Sequence, residues 1–125
     1  MINLKKNIFV AGHNGMVGSS CIRALHNKGY NNLIFESSKS LDLRDQKLTF
    51  DFLKFEKPDA IINAAAIVGG ILANNNYPFE FLMNNMLIQN NLINASHKLK
   101  IEKFIFLGSS CIYPKFSPQP IKENS

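Results

Sequence analysis

The sequence predicts an α/β fold in which a parallel sheet is flanked by helices, and three observations carry that prediction. Short runs rich in Ile, Val, Phe and Ala alternate with longer stretches of helical periodicity, which is the pattern of β-α-β units rather than of hairpins. The first apolar run leads directly into Gly12, Gly15 and Gly18, and then into a helix. The chain has 125 residues, is 46% hydrophobic and carries no low-complexity tract, which suits one domain, residues 1–125, and not two. The glycines narrow the class to a Rossmann-type sheet, one that binds a dinucleotide.

Asn7 to Ala11 is too short for a helix and consists largely of β-branched and aromatic residues, so it reads as the first buried strand. Each glycine after it has its own task. Gly12 turns the chain off the strand, Gly15 leaves room where a pyrophosphate approaches the backbone, and Gly18 lets the helix pack close to the sheet. Met16 and Val17 open that helix, whose free N–H groups and positive dipole end suit phosphates. His13 and Asn14 complete the loop, His13 lying either against the cofactor or in solvent. Val17, Cys21, Ala24 and Leu25 form the expected inner face, and Gly29 sits where a C-terminal cap belongs. The second strand, Asn32 to Glu36, ends at a polar tract, which places Glu36, Ser38 and Lys39 beside the adenosine ribose. Asp42 and Leu43 follow on the adenine side, and Asp42 serves equally as a turn or helix-cap residue.

Gln46 to Phe55 shows Leu48, Phe52 and Phe55 at helical spacing, with Lys47, Asp51 and Lys54 outside, which predicts an amphipathic crossover helix ended by Pro58-Asp59. Ala60 to Ala66 reads as the third buried strand, and its last residues, Ala64, Ala65 and Ala66, are small enough for a cofactor ring to lie against the backbone. The loop Ile67 to Tyr77, rich in Gly and Asn, is expected to contact ligand. After Pro78 a helix to about Leu99 carries Phe79, Leu82, Met83, Met86, Leu87, Asn90 and Ile93 as an apolar stripe, core on one side and a candidate subunit interface on the other. The fourth strand, Lys103 to Gly108, delivers Ser109 to Pro114 at its carboxyl end, where open α/β sheets hold their active sites. The expected strand order is 2-1-3-4 with right-handed crossovers and a cleft between strands 1 and 3. Strand four is then an open edge, which predicts marginal stability or aggregation for the chain by itself.

The net charge of +5 comes from 12 Lys and 2 Arg scattered along the chain. This suits a weak attraction to anionic nucleotides and not nucleic-acid binding, which calls for clustered arginines and paired aromatics. Cys21 and Cys111 have no metal-ligand spacing, so no metal site is expected, and they suggest reduced thiols in a cytoplasmic protein. The longest apolar run, Ala60 to Ala73, is interrupted by Asn63, Gly69 and Gly70 and is too short to span a membrane. Too few apolar residues follow Lys5 and Lys6 for a signal peptide. His26 and His97 read as helix-surface residues, and Tyr113 as a residue that orders its loop.

Three stretches, GHNGMVGS from Gly12, NAAAIVGGILANNNYP from Asn63 and FLGSSCIYP from Phe106, together resemble the GDP-L-fucose synthases, extended short-chain dehydrogenase/reductases of the NAD-dependent epimerase/dehydratase family. The resemblance implies an enzyme that epimerises GDP-4-keto-6-deoxy-D-mannose at C3 and C5 and reduces the C4 ketone with NADPH, as a homodimer when complete. It makes Cys111 the proton shuttle and has Ser109 bond to the sugar ketone, with Leu107, Gly108, Ser109 and Ser110 on the cofactor side. Protons next to a ketone are acidic enough to remove, but the enolate needs a base, an acid on the other face and hydrogen bonds to its oxygen. A thiol can play both acid and base.

Two departures from that pattern stand out. The position that supplies an arginine for the 2′-phosphate matches Ser38, and Glu36 is an acid where a ribose hydroxyl would sit, which favours NAD. Ser37, Ser38 and Lys39 still offer a phosphate partners, so NADP is the expected cofactor and NAD its alternative. The second departure is a missing Tyr-x-x-x-Lys pair: Tyr30, Tyr77 and Tyr113 are followed four residues later by Ile34, Phe81 and Ser117. The chain therefore reads as the N-terminal part of a longer enzyme, incomplete at its C-terminal end and inactive alone. Two further readings are another NAD-dependent nucleotide-sugar epimerase or dehydratase, and a non-catalytic dinucleotide-binding fragment.

Overall fold

The computed structural model describes residues 3–125. Four strands form one parallel sheet in the order β2-β1-β3-β4, with β1 at Ile8–Ala11, β2 at Leu33–Ile34, β3 at Ala60–Asn63 and β4 at Lys103–Phe106. Ile8 lies opposite both Leu33 and Ala60, and Ala60 lies opposite Lys103. This is the predicted order. Helices α1 (Met16–Asn27), α2 (Gln46–Glu56), α3 (Ile71–Asn76) and α4 (Pro78–Lys98) make up the rest of the regular structure, with a short 3-10 turn at Ser110–Ile112.

Several boundaries differ from the sequence expectation, for local reasons. β3 stops at Asn63 rather than Ala66: the Ala64 N–H still donates to the Ala11 carbonyl at 3.0 Å, but the Ala65 N–H donates to the Asn63 side chain at 3.1 Å instead of to a neighbouring strand. β2 keeps two residues of the expected five, and β4 ends at Phe106 instead of Gly108. The stretch expected to be a loop from Ile67 to Tyr77 contains α3, whose N-cap is Gly70. Below the sheet, Asp59 ties two strands together. Its carboxylate accepts from Lys6 Nζ and from the Asn7 N–H, both at 2.8 Å, while Lys6 also reaches Glu102 at 3.2 Å. The hydrogen bond from Lys6 holds the Asp59 carboxyl below the usual carboxylate range.

Alternate strand residues point to opposite faces of the sheet, and each face has its own helical cover. Phe9, Ala11 and Ile61 pack with Leu53, Ile88, Leu92 and Ala95 of α2 and α4, while Ile8, Val10 and Ala60 pack with Cys21, Ile22 and Leu25 of α1. The helix rotations correct the sequence reading. On α1 the buried residue is Gly18, with Ala24 outside and Val17 exposed. On α2 the buried residues are Thr49 and Leu53, and of the predicted face only Phe52 packs on the core, its ring centroid 5.2 Å from that of Phe9, whereas Leu48 is 41% and Phe55 82% exposed. Asp45 caps this helix by accepting from the Leu48 N–H at 2.8 Å, and Thr49 Oγ1 donates to the Leu43 carbonyl at 3.2 Å, which sets the rotation. On α4 the line Ile88, Leu92 and Ala95 reaches the core, and the predicted stripe from Phe79 to Ile93 remains on the surface. The stripe is thus a second face of the helix and not the core face.

Candidate functional site

The three glycines differ in what surrounds them. At Gly12 φ is +78°, and a Cβ would stand 2.6 Å from the Ala64 carbonyl oxygen; at Gly18 it would stand 2.1 Å from the Gly12 carbonyl oxygen. The fold itself demands both. Gly15 is different, because its φ of −74° and ψ of 167° suit any residue and a Cβ there meets only the Gly12 carbonyl at 3.3 Å. Gly15 is the N-cap of α1, with no side-chain cap and no acid in the first turn. Helix geometry offers no acceptor to the first-turn N–H groups, so Met16 and Val17 present donors at the positive end of the dipole.

Gly15 borders a cavity of about 430 Å³ at the carboxyl ends of β1 and β3. Three loop segments line most of it, Gly12, His13, Asn14 and Gly15, then Glu36, Ser38, Asp42 and Leu43, and then Ala64, Ala65 and Ala66, and Ile88 of α4 adds a fourth side. His13 packs beside Phe35, ring centroids 4.9 Å apart, and still lines the cavity. Glu36 turns back on its own backbone and accepts from the Ser37 N–H at 2.8 Å. Asp42 lines the wall while accepting from the Arg44 N–H at 3.0 Å, so it is a turn residue as well, and the helix cap falls to Asp45.

Val17 and Leu107 line a smaller neighbouring cavity of about 180 Å³ together with Ala64, Ala65 and Ala66. Lys39, Gly108, Ser109, Ser110 and Cys111 line neither cavity. Ser109 to Cys111 lies exposed just beyond β4, where Ser109 Oγ accepts from the Cys111 N–H at 3.2 Å and caps the 3-10 turn.

Sequence reasoning passed over Arg44 and the asparagines of α4. Arg44 pairs with Asp42 at 2.7 Å and donates from Nη1 to Asn84 at 3.0 Å. The guanidinium holds the Asp42 carboxyl below its ordinary range. Asn91 donates to the carbonyls of Leu43 and Arg44 at 2.9 and 2.8 Å. Asn85 grips the opposite wall, accepting from the Ile67 N–H at 2.7 Å and donating to the Ile67 carbonyl at 2.8 Å. One helix therefore anchors both sides of the cleft. The available signal was weak: asparagine favours caps and turns over helix interiors, so four of them between positions 84 and 91 of α4 ask for partners elsewhere.

The chain is similar to several known proteins. GDP-L-fucose synthase 1 of Arabidopsis thaliana is 48% identical over 125 residues, covering 100% of this chain and 39% of that protein. GDP-L-fucose synthase of Escherichia coli is 46% identical over 120 residues, covering 96% of this chain and 37% of that protein. Among solved structures, the GDP-mannoheptose C4 reductase of Campylobacter jejuni, with NADP bound, superposes with a TM-score of 0.93 at 33% identity, covering 99% of this chain and 39% of that one. The chain thus spans under two-fifths of the length of these relatives. The sequence pattern of one family matches residues 8–125, a range that takes in the glycine loop, both walls of the cleft and the turn after β4, and the chain belongs to that family, the NAD dependent epimerase/dehydratase family.

Proposed function

We propose that this chain is the cofactor-binding, N-terminal portion of a GDP-sugar epimerase/reductase of the GDP-L-fucose synthase type, and that its cofactor is NADP. The observation that carries this reading is Gly15: a Cβ there would meet only the Gly12 carbonyl oxygen, at 3.3 Å, far less crowding than at Gly12 or Gly18, and the residue opens onto a cavity walled by the two segments that a dinucleotide needs. The pyrophosphate lies on Gly12 to Gly18, the ribose beside Glu36, Ser38 and Lys39, the adenine beside Asp42 and Leu43, and the nicotinamide end toward Ala64 to Ala66 and Leu107 to Ser110. The reduced form, NADPH, when bound there would supply the hydride for the C4 ketone of GDP-4-keto-6-deoxy-D-mannose. Ser109 donates a hydrogen bond to the ketone oxygen. Cys111 as thiolate would take the proton from carbon and become the thiol, and a second acid on the opposite face would return a proton to carbon there. The exposed stripe of α4 fits a homodimer interface, two free thiols fit the cytoplasm, and the absent Tyr-x-x-x-Lys pair makes the chain inactive alone.

Cofactor choice is tested at the ribose wall by calorimetry. The chain is expected to bind NADPH, and Glu36→Arg with Ser38→Arg is expected to raise its preference for NADPH over NADH by about tenfold, since two cations replace an acid and a neutral group near the 2′-phosphate. An unchanged ratio would take this wall away from the ribose, and a folded chain that binds neither dinucleotide ends the proposal. Glu36 favours a second reading, an NAD-using epimerase or dehydratase, and tighter binding of NADH by the unsubstituted chain decides for it.

The proton shuttle is tested in the complete enzyme. Cys111→Ser is expected to slow solvent deuterium incorporation at C3 and C5 by about 10²-fold while leaving cofactor affinity unchanged, because a hydroxyl does not readily form the anion that a thiol forms. Exchange at the unsubstituted rate returns Cys111 to a loop residue.

A further inference from the structure

Arg44 borders the larger cavity, yet no phosphate-binding or catalytic pattern in the sequence accounts for it. Its guanidinium is held from several sides. Nε and Nη2 reach the two Asp42 oxygens at 2.9 and 2.7 Å, and Nη1 reaches Asn84 Oδ1 at 3.0 Å. Its backbone is held too, by Asp42 through the N–H and by the buried Asn91 through the carbonyl. A long side chain on a surface loop normally samples many rotamers, but this one is fixed before any ligand arrives.

The bonding pattern has two chemical consequences. Asp42 matches the charge of Arg44, so the pair has little pull on a phosphate. All of these hydrogen bonds are made at the edges of a planar group, which leaves its faces for stacking. Phe9, Leu41, Leu43 and Ile88 line the same cavity, a surface suited to a flat apolar ring rather than to an anion.

We propose that Arg44 is a ligand-binding residue of the cleft: locked by Asp42 and Asn84, it forms a flat wall for the base at the adenosine end of the dinucleotide and does not clamp the phosphates. This inference rests on the cofactor reading above. It goes further in assigning the base its own protein surface, one that serves NADP and NAD alike.

The test is calorimetry of the chain with NADPH, NADH and adenosine diphosphate, the last carrying the base without the nicotinamide. Arg44→Leu and Arg44→Lys are each expected to weaken all three by about tenfold, since a base loses one stacking partner. Lysine keeps the charge and can still pair with Asp42, but it has no flat face, so its failure to rescue separates a stacking wall from an ion pair. Full rescue by lysine overturns the proposal. A loss confined to NADPH also overturns it, because Arg44 would then be gripping the 2′-phosphate. If Arg44→Leu does not fold, Asn84→Ala frees the guanidinium from α4 while keeping the Asp42 pair, and it is expected to weaken the three ligands by about threefold; unchanged affinities again overturn the proposal. Failure of the unsubstituted chain to bind any dinucleotide refutes the cofactor reading itself, and it is seen before any variant is made.

Discussion

Replacing Gly15 by valine is expected to weaken dinucleotide binding by about 100-fold or more while the chain stays folded. The backbone at this position is already extended, with φ −74° and ψ 167°, so a branched residue fits the local conformation. Its Cβ would meet the Gly12 carbonyl at 3.3 Å and nothing else nearby in the protein. The branched carbons would instead occupy the space from which a pyrophosphate reaches the first-turn N–H groups of α1. Valine is also a poorer N-cap than glycine, by roughly 1 kcal/mol, a cost that lowers stability without unfolding a typical domain. Calorimetry with NADPH reports the first effect and circular dichroism the second. Undiminished affinity in a folded variant would remove the glycine loop from the binding site.

Gly18→Ala is expected to have the opposite profile, costing about 3 kcal/mol or more in stability through overpacking. Helix propensity alone would favour alanine over glycine by about 1 kcal/mol, so the sign depends on the contact. That contact is severe. The new carbon would stand 2.1 Å from the Gly12 carbonyl oxygen and 2.7 Å from its carbon, and both are backbone atoms. Gly12 has no freedom to retreat, because its carbonyl accepts from the Gly15 N–H at 3.0 Å and its own Cβ position is closed off by Ala64. β4 is an edge strand among the described residues, where Phe106 is about half exposed, so a partly unfolded variant is expected to aggregate through it. A loss of several degrees or more in thermal midpoint, or an insoluble product, is the expected observation. A variant that melts where the unsubstituted chain melts would mean that α1 does not pack this closely on the loop.

The contrast between these two glycines shows how far one-dimensional reasoning reaches. The GxxGxxG spacing marks all three positions as special, and the strand before and helix after it identify a phosphate loop. Only the packed structure separates the roles. Gly18 is required by a carbonyl six residues earlier and Gly12 by an alanine from another strand, whereas Gly15 is left for a ligand. In the same way, helical periodicity located α2 and α4 to within a residue or two but misjudged their rotations. The apolar residues of each helix outnumber those that its neighbours can cover, so Leu48, Phe55 and the stripe from Phe79 to Ile93 look as suitable for burial as Leu53 and Leu92 do. A helical wheel cannot rank them.

The order of the elements, the parallel sheet, the phosphate loop and many of the loop residues on the larger cavity were legible in the sequence, because each follows from local stereochemistry or from a pattern within a few residues, whereas Arg44 and Ile88 on that cavity were not. Alternation of short apolar runs with helices leaves few topologies once crossovers must be right-handed and short. The tertiary structure decided which residues hold that cavity in shape. Arg44 meets Asn84 across 40 positions, Asn91 meets Leu43 across 48, and Asn85 meets Ile67 across 18. Such bonds carry no periodic trace, since each joins one exposed-looking polar residue to a loop whose path is set only when α4 packs against α2 and the sheet.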